Sequence, residues 1–148
     1  MISGQLAVRR SSVPRYRSLL GLLFVLVAAC QTIGPYDQRA YELATSAKVD
    51  ALALVAKGTE PAESHAAEIA SLRLEVDKAY EYAKGRPKNG DSTKQWAILR
   101  DPAGHSLGGF LKRWEHDHSL SQGFVTEAGG QISDAFDQVI ELESGKSK

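Results

Sequence analysis

The residues with the most chemical potential in this chain are Gly104-His105-Ser106-Leu107-Gly108-Gly109, a serine held between glycines at G-x-S-x-G spacing. A serine so placed acts as a nucleophile when it sits on a strained strand-to-helix turn, with oxyanion donors beside it and an acid and a histidine on later loops. Arg100-Asp101-Pro102-Ala103, which precedes it, cannot form a central strand, because proline removes a ladder donor. Only 42 residues follow Ser106. His116 and His118 lie ten and twelve positions on, roughly 15 Å or more along a helix axis and beyond hydrogen-bond reach. The bland reading makes Pro102, Gly104 and Ser106 the break and cap before a helix, and no catalytic residue is assigned.

That string resembles the nucleophile elbow of α/β-hydrolase lipases, and the resemblance implies an alternative function, a small serine hydrolase or esterase using Ser106. Glu115-His116-Asp117-His118 suggests a metal, since imidazole and carboxylate suit zinc and related ions. On a helix, residues two apart do not face each other, and no third ligand cluster is evident. A solvated helix end, with histidines near the C-terminal dipole, accounts for the run. His65 stands alone on an apolar helix face and reads as a packed core residue. No metal ligand and no cofactor is assigned, and a small-molecule or metal-binding module stays as a second alternative.

The other chemically distinctive residue is Cys30, the only cysteine of the 148. It closes a basic segment holding Arg9, Arg10, Arg15 and Arg17 and an eleven-residue apolar run, 19–29. A membrane-spanning helix needs roughly twenty apolar residues and a secretory core about seven to fifteen, so this run predicts a signal that is removed. Arg9-Arg10 is followed by Ser-Ser-Val-Pro and not by apolar residues, which favours general secretion over twin-arginine export. Val27-Ala28-Ala29-Cys30 resembles the lipobox of bacterial lipoproteins. The resemblance implies a diacylglycerol on the Cys30 sulfur, cleavage before it and acylation of the new amino group. Two or three acyl chains hold a protein on a bilayer far more firmly than one, each buried CH₂ contributing about 0.8 kcal/mol. Gln31, where inner-membrane retention commonly uses aspartate, implies the periplasmic face of the outer membrane, with the inner membrane as the alternative.

From Cys30 onward 119 residues remain, enough for one domain. All 18 acidic residues fall in this part, whereas four of the 18 basic ones precede it, leaving a net charge of −4. A mildly acidic domain without a Lys/Arg cluster excludes nucleic acid and anionic headgroups as partners, so membrane contact rests on the lipid of Cys30.

Residues 30–35 read as a short tether, 36–143 as a helical domain and 144–148 as a flexible tail. Over 36–57, Ala40, Leu43, Ala44, Ala47, Ala51, Leu54 and Val55 recur at helical steps, and Gly58 has the place of a C-terminal cap. Thr59-Glu60-Pro61 supplies start signals for a helix over 62–84, with Ala62, His65, Ile69, Leu72, Val76, Ala79 and Ala83 along one seam. Residues 85–90 read as a turn. Ser92 to Gln95 has capping-box spacing and opens a short helix with Trp96, Ile98 and Leu99 inward, ending at Asp101-Pro102. A second short helix over 106–118 carries Leu107, Phe110, Leu111 and Trp114 on one face. Ser119 to Gln122 repeats the capping box for a last helix to residue 143, whose face is Leu120, Phe124, Ile132, Ala135, Phe136, Val139 and Leu142. Gly129-Gly130 either weakens that helix or admits a close neighbour.

No segment alternates as a strand does, so the predicted fold is all-α, a small bundle of three long and two short helices after a cleaved signal peptide. The functional expectation is a lipid-anchored, non-enzymatic envelope protein of interaction or structural type, with a protein partner in the envelope. Its oligomeric state is not legible in the sequence.

Overall fold

Ala40, Ala44, Ala47 and Ala51 form a stripe of buried alanines on the first helix, spaced four, three and four apart. Side chains this small let neighbouring helices approach closely, and larger residues on those neighbours fill the space. The computed structural model describes residues 34–146, within which five helices and no strand occur. They are α1 (Gln38–Val55), α2 (Ala66–Gly85), α3 (Gly90–Arg100), α4 (Leu107–Asp117) and α5 (Gln122–Ser144), of 18, 20, 11, 11 and 23 residues. A 3₁₀ turn, Ala62–His65, precedes α2. None of these helices is long and apolar enough to cross a membrane. The expectations for residues 1–29 and for Cys30 lie outside the described residues.

Helix α1 packs on α5 and α2, while α3 lies between α2 and α5 and α4 rests on α3 and the 3₁₀ turn. The core joins the alanine stripe to Ile69, Leu72 and Val76 of α2 and to Ile132, Phe136 and Val139 of α5. All seven seam residues from Ala62 to Ala83 are buried. So are Trp96, Phe110, Trp114 and Phe136, with Phe124 half-buried, which makes the aromatic residues core and not a surface groove.

Several local expectations are corrected. Asp37 caps α1 through the Ala40 N–H, so the helix starts two residues later than its periodicity suggests. Gly58 has no left-handed backbone. It is a packing glycine: a Cβ there would lie 2.9 Å from Phe110 and from Val125. The predicted second helix opens as 3₁₀ and becomes α only at Ala66. Helix α3 starts at Gly90 without a side-chain cap, and Ser92 is buried inside it. The cap of α5 is Ser121, whose Oγ accepts the Phe124 N–H, and not Ser119. Ile98 is 53% exposed because α3 turns only Trp96 and Leu99 of the trio inward. On α5 the buried face runs through Val125, Ala128 and Glu143, with Leu142 only half-buried. Gly129 and Gly130 admit no close neighbour, the nearest atom to an added Cβ being Val55 Cγ1 at 3.7 Å from Gly129.

Candidate functional site

The chain enters the bundle through an ionic clasp. Gly34 N–H donates to the Lys88 carbonyl at 3.0 Å, and Arg86 Nη2 donates to the Pro35 carbonyl at 2.7 Å. Arg86 Nε lies 3.6 Å from Asp37, and its Nη1 donates to Glu143 Oε2 at 2.9 Å. Lys146 Nζ reaches the same Glu143 oxygen at 2.6 Å, and donates to Ser92 Oγ at 3.2 Å and to Asn89 Oδ1. Asn89 in turn donates to the Ala83 carbonyl at 3.0 Å. Glu143 is 1% exposed. Burial pushes its carboxyl up, but hydrogen bonds from Lys146, Ser92 and Arg86 outweigh that and hold it below the usual carboxylate range. Asp37 behaves alike: burial raises it, and the Ala40 N–H, the Tyr82 hydroxyl and Arg86 bring it below its ordinary value. The tether expected to run to residue 35 is therefore already fixed to the domain at Gly34.

Ser106 occupies the N-cap position of α4 but its side chain makes no capping bond. It is 7% exposed and its Oγ has no hydrogen-bond partner. The residues before it form turns and not a strand. Gly108 and Gly109 have a packing reason: a Cβ on Gly108 would sit 2.4 Å from the Arg100 carbonyl oxygen, and one on Gly109 1.9 Å from that of Gly104. The two glycines let the 101–106 turn lie across the head of α4.

The histidines bond elsewhere. His116 Nδ1 meets Asp117 at 2.7 Å, and His118 Nδ1 pairs with Glu63. His118 ends α4 with φ of 66°, and its carbonyl accepts the Ala62 N–H at 2.8 Å. His65, expected as a packed core residue, is also held by charge: Nδ1 meets Glu68 at 3.0 Å and Nε2 meets Glu60 at 2.8 Å. These bonds, Glu68 first, raise its pKa above the ordinary 6.5. Its ring lies 5.5 Å from that of Trp114, whose Nε1 donates to the Glu60 carbonyl at 2.9 Å. Among the described residues no three of His, Cys, Asp and Glu are arranged to hold a metal ion.

A cleft of about 510 Å³ opens between α2, α3 and α4, floored by Val76, Leu99, Leu107 and Leu111. Ion pairs frame it. Arg73 grips Glu115 through two bonds of 2.8 and 2.6 Å, and Arg100 meets Asp77 at 2.8 Å while lying 4.4 Å from the Tyr80 ring centre. Periodicity could not reveal this cleft, because its walls come from three helices. No protein-family profile, curated protein or solved structure matches this chain.

Proposed function

We propose that this chain is a lipid-anchored protein of the cell envelope that acts through protein contacts and not through catalysis. Residues 1–29 are its cleaved signal, Cys30 carries the lipid, and the bundle of three long helices (α1, α2, α5) and two short ones (α3, α4) is held at the periplasmic face of the outer membrane. The observation that carries the reading is the distance in sequence between Cys30 and Gly34. Gly34 is already hydrogen-bonded to the domain, and four residues reach at most about 14 Å. A lipid on Cys30 therefore sets the Arg86–Glu143 end of the bundle beside the bilayer. The unpaired Ser106 hydroxyl, with no base bonded to it, favours contact over acyl transfer.

Membrane fractionation of the full chain against Cys30→Ser tests the anchor: the parent is expected in the membrane pellet and the variant in the soluble fraction. A pelleted variant would sink the reading. Fluorophosphonate labelling tests catalysis, and labelling of the parent that Ser106→Ala abolishes would replace the proposal with the hydrolase.

The cleft between α2, α3 and α4 favours a second reading as a small-molecule-binding module, since its volume is in the usual range for ligand sites. Native mass spectrometry of protein extracted from membranes is expected to show a co-purifying species on that reading. Ala97→Trp, which fills the cleft from α3, should remove it, and a bare mass for the parent would dismiss this function.

A further inference from the structure

Helices α1 and α2 run antiparallel, and two contacts fix their register. The Tyr82 hydroxyl donates to Asp37 at 3.1 Å, and the Ser46 hydroxyl donates to Glu75 at 3.2 Å. An open groove of about 470 Å³ runs between the two helices. Leu43 of α1 and Leu74 and Tyr82 of α2 give it an apolar surface, and Leu74 is 54% exposed. That apolar surface is small, so the charges along it decide what covers it.

Those charges are polarised. Arg39 and Lys78 stand toward the Gly34 end of the groove, and Glu75 and Asp50 toward the other, Asp50 lying one helical turn beyond Ser46. None of the four makes an ion pair among the described residues. Burial and the neighbouring Asp50 raise the Glu75 carboxyl above its ordinary value, and the Lys78 charge is the weakest of the influences on it. Glu42 sits between the two ends, bonded by Gln38 Nε2 at 2.8 Å.

We propose that this face pairs with a second copy of the chain about a two-fold axis, so that Arg39 and Lys78 of each copy meet Asp50 and Glu75 of the other. A two-fold axis crossing the helices at right angles turns the groove end for end and repeats every contact. One axis serves both helices. Pairing Arg39 with the partner's Asp50 places it at residues 44–45 of α1, and pairing Lys78 with the partner's Glu75 places it at residues 76–77 of α2. Both points lie one to two residues from the Ser46–Glu75 bond and on the same side of it, hence at the same height. The same axis sets Tyr82 against the partner's Ser71 and Leu43 against the partner's Ser46, a large residue on a small one each time. Leu74 then lies against the aliphatic stem of the partner's Lys78. Two helix pairs joined in this way form an antiparallel four-helix contact. Glu42 meets no cation in it, which limits its strength. The pairing supplies a partner for action through protein contacts and is independent of the lipid. Its two Gly34 ends point opposite ways, so an anchored pair lies with its helices along the bilayer and each Arg86–Glu143 end still beside it.

Charge exchange tests the proposal on the full chain in neutral detergent, read by sedimentation over a concentration series and by native mass spectrometry. The parent is expected to dimerise. Asp50→Lys with Glu75→Lys makes the groove largely basic, and Arg39→Glu with Lys78→Glu makes it largely acidic. Each double variant then repels its own copy, and its dissociation constant should rise by about a hundredfold or more. An equimolar mixture of the two should restore a dimer with one copy of each. Far-UV circular dichroism reports that both are folded, and Leu74→Gln, at an exposed site, should weaken the parent dimer by about tenfold without changing charge. A parent that stays monomeric across the series, double variants that dimerise as the parent does, or a mixture of folded variants that stays monomeric would each overturn the pairing. None of these outcomes alters what membrane fractionation of Cys30→Ser reports.

Discussion

Arg86 donates to the buried carboxylate of Glu143 at 2.9 Å, joining residues 57 positions apart in the chain. The same guanidinium holds the Pro35 carbonyl at 2.7 Å, so one side chain ties the entry of the chain to its C-terminal helix. Lys146 also meets that Glu143 oxygen at 2.6 Å, so removing Arg86 leaves the carboxylate one ion pair and takes away the bonds to Glu143 and to the Pro35 carbonyl. Arg86→Ala should lower stability by about 2 kcal/mol, the range for hydrogen bonds to a charged group, read from urea denaturation. A change below about 0.5 kcal/mol, the ordinary surface range, would show that the clasp holds little.

The clasp should also set the acid limit. Glu143 is held below its ordinary value of 4.5 when folded, so it adds stability that is present above that value and lost as pH falls through the folded one. Between pH 5 and pH 3 the parent should lose stability faster than Glu143→Gln. Parallel profiles in acid denaturation would count against this role.

His65 acts at the other end of the scale. Its raised pKa means that the protonated form is favoured by folding, so its contribution is present below 6.5 and lost as pH rises through the higher folded value. Glu60 and Glu68 face its two ring nitrogens, Lys57 also pairs with Glu68 at 2.6 Å, and the Trp114 ring packs beside it. Melting temperatures between pH 6 and pH 9 should decline for the parent and stay flatter for His65→Gln. Equal slopes in the two proteins would refute the assignment.

Two glycine substitutions should have opposite signs. Gly130 has open space where a Cβ would sit and lies inside α5, so Gly130→Ala should stabilise by about 0.5–1 kcal/mol. Gly58→Ala must push apart Phe110 and Val125, each 2.9 Å from the added carbon, and overpacking of this kind costs about 1–3 kcal/mol. Thermal melts of both variants distinguish packing from backbone freedom.

The helices were legible because a 3.6-residue period exposes a buried face, as Ala40 to Val55 and Ala62 to Ala83 illustrate. The clasp was not. Glu143 closes the expected last helix, Lys146 falls in the stretch 144–148 expected as a flexible tail and Arg86 in a turn; the meeting of helix ends makes them buried partners, with Lys146 6% exposed. The Ser92 and Ser119 patterns misled for a related reason, since a serine-to-glutamine spacing does not say which serine stops outside the helix. Here the hydroxyl that caps α5 belongs to Ser121, and that of Ser92 serves Lys146. Gly108, in the G-x-S-x-G pattern, and Gly109, just after it, are glycine because carbonyls press against the head of α4, a contact between turn and helix that no local pattern encodes.

The lipid anchor is the claim on which the functional account depends. Intact-mass and N-terminal peptide mass spectrometry of the protein purified from membranes tests it most directly. The account predicts a mature chain beginning at Cys30 with diacylglyceryl and amide-linked acyl groups. A chain that retains residues 1–29, or an unmodified Cys30, would contradict it.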